Sequence, residues 1–135
     1  MTPKFKTRDV PKSQYSNYLK RADECLTAAQ LAYEREEWNS SAINSIHAVI
    51  SLADTMCVYF LGKRHSGENH NDAAGLFKSI KDDEDTSANT NRIVRVLRMK
   101  NMAEYEERLV NRLEADKMLK DAQRLAEFVG KRLHA

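Results

Sequence analysis

The sequence predicts an all-α protein, folded as an up-and-down bundle of four to five helices. Helix breakers are scarce, with 4 glycines and 2 prolines among 135 residues. Strong helix formers recur throughout the chain, and apolar residues return at spacings of three and four. A chain of this length ordinarily makes one domain. We therefore expect a polar N-terminal tail over residues 1–12 and a single helical domain over residues 13–135.

The first two predicted helices are the longest. Ser13 suits the N-cap of a helix over residues 13–36, which has one narrow apolar face. A second helix is predicted over residues 39–62, where Gly62 suits the C-terminal position. The apolar stripe of this second helix is broad, so we expect it to be the central helix of the bundle.

The second half of the chain predicts three further helices. A polar loop over residues 63–71 leads into a helix that Asn71 can cap and that ends near Ile80. Residues 81–89, KDDEDTSAN, predict an acidic, exposed and mobile linker. A fourth helix is predicted over residues 90–105. After a connection over residues 106–110, Asn111 and Glu114 form a capping-box pattern that begins a last helix reaching Gly130.

The charge pattern is not that of a protein with a dedicated basic stripe for nucleic acid. The formal net charge is +2, and cations and anions are interleaved. Only the N-terminal tail is rich in cations, and we expect this tail to be disordered or loosely docked. The cations of the tail are Lys4, Lys6, Arg8 and Lys12.

Cysteine usage and hydropathy predict a soluble cytoplasmic protein. Cys25 and Cys57 fall at apolar helical positions, where buried free thiols are the usual finding, so no disulfide framework is expected. The N-terminus has no apolar segment of the signal-peptide type. No apolar run approaches the roughly 18 residues of a membrane span, so we expect no membrane partner.

The segment NRIVRVLRMKNMAEY, residues 91–105, carries the first candidate site. Arg98 and Tyr105 are seven residues apart, which is about 700° at about 100° per residue. In an unbroken helix they would lie on nearly the same face, with Asn101 beside them. The sequence places no obvious general base among them.

A second candidate site is a polar seam along the predicted central helix. Asn44, His47, Ser51 and Asp54 follow one another at spacings of three, four and three. The seam either marks the line where the helix meets solvent or lines a cleft, and the residues leave both interpretations open. His47 and Asp54 are therefore candidate ligand-binding residues.

The usual signatures of metal and cofactor enzymes are absent. Four side chains of metal-ligand type lie close together in sequence, but their spacing matches no established pattern and no rigid scaffold holds them. These side chains are His65, Glu68, His70 and Asp72. The sequence has no glycine-rich phosphate loop, no nucleophile elbow and no paired-cysteine motif. We predict no metal and no cofactor.

The order and spacing of the predicted helices resemble the HEPN domain over most of the chain, from about Ser13 to Leu133. The likeness is carried by YLKRADECLTAAQLAYEREEWNSSAINSIHAVISLADTMCVYFLG, by a histidine loop leading into NHNDAAGLFKSI, by RVLRMKNMAEY, and by the final RLAEFV. The resemblance implies a bundle of four to five helices, often a homodimer and often encoded beside a minimal nucleotidyltransferase. It also implies kinship with RNases of toxin–antitoxin and defence systems.

The resemblance also implies specific site residues. The catalytic motif of the family is an arginine, four to six residues, and a histidine, often with a tyrosine two positions on. Arg98 and Tyr105 match this motif, but Ala103 stands in the place of the histidine. Metal-independent RNA cleavage needs a group that titrates near neutral pH, and alanine has none. Arg98 could still hold a phosphate while Tyr105 donates a hydrogen bond or stacks on a base.

Two further residues follow from the same resemblance. Asp54 falls where the family often has an acidic residue, which predicts a pair between Asp54 and Arg98. Arg64 and His70 also satisfy the arginine-to-histidine spacing, but they precede the third helix, whereas the motif of the family belongs just before the last one.

Three functions are therefore open. The leading hypothesis is a non-catalytic HEPN-like module that binds a nucleotide, an RNA or a partner protein, as a homodimer with Arg98 and Tyr105 near the interface. The first alternative is an active HEPN RNase that uses His47 or His70 as a displaced base. The second alternative is a structural helical adaptor, in which the polar seam is only solvated surface. On balance we expect no enzymatic activity.

Overall fold

A computed structural model describes residues 5–134, apart from the side chain of His70. Within this part of the chain there are two short strands, β1 (Thr7–Asp9) and β2 (Lys63–His65). The α-helices are α1 (Tyr15–Glu34), α2 (Trp38–Leu61), α3 (His70–Lys78), α4 (Glu84–Arg98), α5 (Lys100–Tyr105) and α6 (Arg112–Leu133). Five of them have 9 to 24 residues and α5 has 6, so the predicted all-α bundle is confirmed.

Helix α2 is the centre of the bundle. It packs along α1 and also contacts α3, α4, α5, α6 and β2. By length and mean hydropathy α2 could also cross a membrane, so the expectation that no segment approaches a membrane span does not hold for this helix. In the fold, 61% of its most apolar window is buried. Burial at the centre of the bundle therefore accounts for the apolar character of α2.

Small side chains allow α1 and α2 to pack closely. The buried residues of α1 are all alanines, at positions 22, 29 and 32. The hydroxyl of Ser41, at the start of α2, donates a hydrogen bond to the carbonyl of Ala29 at 2.9 Å. At the other end of α2, Gly62 adopts a left-handed conformation with φ of 68°, and its N–H donates to the carbonyl of Val58. This glycine ends α2 where the sequence predicted.

The chain before α1 is folded back on the bundle. Strand β1 pairs antiparallel with β2, with Thr7 opposite His65 and Asp9 opposite Lys63. Phe5 packs over Gly75 of α3 so closely that a Cβ at that glycine would lie 2.8 Å from the phenylalanine ring. The expectation of a disordered or loosely docked end is therefore wrong from residue 5 onward. The pairing strand lies far away in the sequence, so no local pattern in the tail indicates it.

The acidic segment that precedes the fourth predicted helix is mostly helical. Helix α4 begins at Glu84, and Asp83 is its N-cap, which accepts a hydrogen bond from the N–H of Thr86 at 2.8 Å. Thr86, Asn89 and Thr90 are buried. The predicted mobile linker over residues 81–89 is therefore wrong. Acidic residues in a first helical turn interact favourably with the helix dipole, so the charges mark a helix start.

Asp83 also connects the start of α4 to the end of α6. Its other carboxylate oxygen, Oδ2, lies 2.7 Å from Nη2 of Arg132, whose guanidinium stacks over the ring of Phe128. Hydrogen bonding from Thr86 and the nearby Arg132 hold the pKa of Asp83 at about 2. The ordinary pKa of an aspartate is 3.8. The stabilisation that ionised Asp83 provides is therefore fully present above this ordinary value and is lost as the pH falls toward 2.

The last helix begins as predicted. Asn111 is the N-cap of α6, and its side chain forms the full capping box with Glu114. Just before it, the N–H of Val110 donates to the side chain of Asn39 at 2.9 Å. This bond holds the connection between α5 and α6 against the start of α2.

We predict that Asp83→Ala lowers the melting temperature by several degrees at neutral pH. The substitution removes both the N-cap acceptor of α4 and the partner of Arg132. Thermal unfolding followed by far-UV circular dichroism measures the effect. Asp82→Ala is the matched control, because Asp82 is exposed and its side chain has no bonded partner within residues 5–134. Equal melting temperatures for the two variants would contradict this role of Asp83.

Candidate functional site

Arg98 lies at the rim of a cleft between α4 and α6. The cleft has a volume of about 490 Å³, which is within the range of small-molecule sites. Met99 and Met118 line it together with the side chains of charged residues from both helices. The charged residues are Arg95, Arg98, Glu114, Lys117, Lys120 and Asp121. Long cationic side chains bury their methylene stems and keep their charged ends in water, so an apolar floor and a cationic rim can coexist here.

Most charges around the cleft are already paired. Arg95 makes two hydrogen bonds to Asp121, at 3.2 and 3.0 Å, and Arg108 makes two to Glu114, at 2.9 and 2.8 Å. Within residues 5–134, the side chains of Arg98 and Lys117 form no hydrogen bond or ion pair. Two cations at the rim of the cleft are therefore available to an anionic ligand.

The helix that carries Arg98 is broken immediately after it. The N–H of Met99 bonds to the carbonyl of Val96, three residues back, and α5 begins at Lys100. The prediction of one helix from Thr90 to Tyr105 is therefore wrong. Because the helix is interrupted at Met99, the placement of Arg98, Asn101 and Tyr105 on one face of an unbroken helix does not apply.

The other two residues of that predicted group have their own neighbours. The amide of Asn101 lies 3.4 Å from the carboxylate of Glu106. The side chain of Tyr105 is 74% exposed, and Nζ of Lys100 lies 5.7 Å from the centre of its ring. No hydrogen bond among the described residues connects Arg98 to either of them. The ring of Tyr105 is thus largely exposed to solvent. Tyr105 does not line the cleft that Arg98 borders.

Ala103 is half-buried and packs against the hydrophobic core. Its N–H continues α5 by donating to the carbonyl of Met99 at 2.9 Å. The position that corresponds to the histidine of the motif is therefore occupied by a small apolar side chain. The methyl group of Ala103 can neither accept nor donate a proton.

A histidine from another helix lies beside α5. Nε2 of His47, on α2, is 3.9 Å from Oε1 of Glu104, the residue after Ala103. The other carboxylate oxygen of Glu104 accepts a hydrogen bond from Nζ of Lys100 at 2.6 Å. His47 is half-exposed, whereas Glu104 is largely covered. The sequence predicted His47 as a site residue but not Lys100 or Glu104, although their four-residue spacing on one helix is a recognisable ion-pair signal.

Asp54 lies elsewhere and does not pair with Arg98. Its charged neighbours are Arg64 of β2 and Arg21 of α1. Partial burial raises the pKa of the Asp54 carboxyl to about 7, and the two arginines only moderate this increase. The predicted Asp54–Arg98 pair is therefore wrong, because Arg98 borders the cleft against α6 while Asp54 faces β2 and α1.

The polar seam of α2 does not form one continuous surface. The amide of Asn44 donates to the carbonyl of Ser40 at 2.9 Å, and Asn44 lines a shallow groove against α1. Ser51 is buried, whereas His47 is exposed and Asp54 is partly buried. The seam is therefore neither a solvated edge nor the lining of one cleft.

The loop with potential metal ligands has a buried histidine. His65 ends β2 with its Nε2 lacking a partner among the described residues, and burial lowers its pKa. Arg64 donates to the carbonyl of His65 at 3.0 Å, and the side chain of His70 lies outside the described part. Among the side chains that the structure describes, no three potential ligands come together as a metal site.

Comparison with known protein families agrees with this architecture. The family model of the HEPN domain matches residues 15–133. The chain belongs to the HEPN domain family. A search of curated proteins found no match. Membership of the HEPN family connects this fold with a nucleotide- or RNA-related function. Strand β1 lies outside the matched residues, so the pairing of β1 with β2 is an addition to the part of the chain that matches the family.

We predict that Asp54→Asn stabilises the protein at about pH 9 and has a smaller effect at about pH 5. In the folded state the pKa of Asp54 is about 7, against an ordinary value of 3.8. The folded state therefore binds more protons between these values, and stability from Asp54 is lost as the pH rises through 7. The gain at high pH should be at least about 1 kcal/mol.

Chemical denaturation at the two pH values measures the effect. Asp23→Asn is the matched control, because Asp23 is an exposed carboxylate on α1. A gain in stability of Asp54→Asn that is the same at both pH values, or equal to that of the control, would contradict the prediction.

Proposed function

We propose that this protein is a non-catalytic HEPN module that binds a phosphate-bearing ligand, a nucleotide or an RNA, through Arg98. The observation that carries the proposal is the unpaired guanidinium of Arg98 at the rim of an apolar cleft, combined with Ala103 in the place of the motif histidine. The toxin–antitoxin origin, the homodimer, a nucleotidyltransferase partner and the cytoplasmic location remain predictions from the family resemblance.

The chemistry of the cleft suits such a ligand. A guanidinium presents a planar fork of donors that matches two oxygens of a phosphate. Lys117 provides a second unpaired cation on the facing helix. Met99 and Met118 are polarisable side chains that make favourable contacts with aromatic rings, so they can support the face of a base. The cleft therefore offers separate positions for a phosphate and for a ring.

Among the described residues that line the cleft, none is suited to act as a general base for cleavage. The carboxylates on the cleft wall are those of Glu114 and Asp121, and each is held by an arginine. Hydrogen bonds from Arg108 lower the pKa of Glu114. A carboxylate with a lowered pKa is a weak base at neutral pH. Binding without turnover is therefore the outcome that this cleft favours.

We predict that Arg98→Ala weakens RNA binding about tenfold or more, because a charge-assisted hydrogen bond contributes about 1.5–3 kcal/mol. Fluorescence polarisation with a labelled single-stranded RNA of about 16 nucleotides measures this affinity. Arg35→Ala is the matched control, because Arg35 is exposed at the end of α1 and its side chain has no bonded partner within the described residues. The RNA should remain intact on a denaturing gel.

Three results would count against this proposal. Equal affinities for the Arg98→Ala and Arg35→Ala variants would exclude the cleft as the binding site. Cleavage of RNA by the purified protein, abolished by Arg98→Ala, would exclude a non-catalytic role. If neither nucleotides nor RNA bind or shift the melting temperature, the structural-adaptor alternative is favoured, since a ligand of the native state must stabilise it.

A second function, RNA cleavage with a displaced base, is supported by one contact. The imidazole of His47 lies 3.9 Å from the carboxylate of Glu104. A carboxylate beside an imidazole can orient the ring, an arrangement found in many general bases. In this alternative, α2 supplies the histidine that α5 lacks.

The cleavage alternative predicts that His47→Ala abolishes RNA cleavage and that Glu104→Gln reduces it and changes its pH profile. Single-turnover cleavage of a labelled RNA measures both effects, with circular dichroism to verify folding. His134→Ala is the control, because His134 is an exposed histidine that follows α6. Cleavage that persists unchanged in His47→Ala would exclude His47 as the base.

A further inference from the structure

The small sheet formed by β1 and β2 places cations directly opposite one another. Arg8 is the cross-strand partner of Arg64, and directly opposite residues of an antiparallel pair lie on the same face of the sheet. The N–H of Ser66 donates to the carbonyl of Lys6 at 2.9 Å, so the pairing continues beyond the strand. Alternate residues share a face, which puts Lys6 on the same side as Arg8 and Arg64. We call these three residues the basic sheet face.

The three residues of the basic sheet face are all cations, and the carboxylate of Asp54 lies near Arg64. Like charges directly opposite in a sheet are destabilising. Within residues 5–134, none of the ion pairs involves Lys6, Arg8 or Arg64. Some cations of the helical part do have carboxylate partners, namely Arg95, Lys100, Arg108, Lys120 and Arg132. The basic sheet face therefore carries an excess of positive charge, which an anionic partner would balance.

The surroundings of the basic sheet face increase its positive charge. Arg21 of α1 lies near the same carboxylate, Asp54, as Arg64 does. That carboxylate has a pKa of about 7, so a large fraction of it is protonated at neutral pH and neutralises the arginines only partly. Lys12 follows β1 in the sequence, and its Nζ lies 4.3 Å from the centre of the Tyr59 ring on α2.

We propose that the basic sheet face binds the phosphate backbone of RNA. Lys6 and Arg8 are two residues apart along one edge, which is about 6.6 Å in a strand and comparable with the distance between successive phosphates of an extended chain. A row of cations without an apolar pocket suits a polyanion, which gains affinity by releasing counterions. The proposal rests on the proposed function only in taking RNA as the ligand. Its surface is separate from the cleft at Arg98, and β1 lies outside the region that matches the family.

The first test removes two exposed charges. The double variant Lys6→Gln/Arg8→Gln should bind the labelled single-stranded RNA about tenfold more weakly. The slope of log affinity against log salt, measured between about 50 and 200 mM, should fall by about 1.4, because each phosphate that a cation neutralises on a single strand adds about 0.7 to this slope. Arg35→Gln/Lys131→Gln is the matched control, because it removes one arginine and one lysine from exposed positions at the ends of α1 and α6. The control should retain both the affinity and the slope.

The second test separates binding from folding. Arg8→Glu places an acid opposite Arg64, so it should weaken RNA binding more than Arg8→Gln does while leaving the melting temperature unchanged or higher. If the role of Arg8 is only structural, a variant should lose RNA binding only where its melting temperature also falls. The far-UV circular dichroism spectrum of each variant verifies the fold.

The outcomes distinguish this proposal from the function proposed for Arg98. RNA binding that Arg98→Ala weakens and that Lys6→Gln/Arg8→Gln leaves unchanged overturns the basic sheet face alone. RNA binding that depends on Lys6 and Arg8 but is unchanged in Arg98→Ala supports the sheet and overturns the cleft. Binding to phosphatidylserine vesicles that requires Lys6 and Arg8, without RNA binding, overturns this proposal and assigns the sheet to a membrane surface.

Discussion

The burial of α2 on most of its circumference determines where the other elements lie. Ile46, Val49 and Leu52 are completely inaccessible, and even the hydroxyl of Thr55 is buried and must bond to a carbonyl of its own helix at 2.7 Å. A helix with so much apolar surface has to be covered by neighbours on several sides. The polar side chains of α2 that remain accessible therefore lie at gaps between those neighbours. His47 lies in such a gap beside α5.

The break at Met99 separates two halves of the family motif. Before the break, Arg98 faces the cleft against α6. After the break, Glu104 faces α2 and approaches His47. One short segment thus contributes to two different surfaces, and only the first has unpaired cations. Phosphate binding at Arg98 and cleavage with His47 would therefore use different residues on different surfaces.

Charge pairing distinguishes the parts of the surface more clearly than net charge does. Exposed ion pairs such as Arg108–Glu114 contribute only about 0–1 kcal/mol to stability, so they do not hold the bundle together. Their effect is to neutralise the surfaces on which they lie. Among the described residues, Arg98 and Lys117 at the rim of the α4–α6 cleft form no ion pair, and neither do Lys6, Arg8 and Arg64 on the basic sheet face. A protein with a net charge of only +2 can therefore present two distinct positive surfaces.

The absence of a histidine at position 103 followed from the resemblance to the family motif. Local signals in the sequence predicted two helix boundaries, the glycine that ends α2 at position 62 and the capping box at Asn111. These features depend on residues a few positions apart, and periodicity and capping reveal them. Three features depend on the tertiary structure: the pairing of β1 with β2, the neighbours of Asp54 and the approach of His47 to Glu104. Each of these depends on which distant elements meet around α2, and no spacing along the chain contains that information.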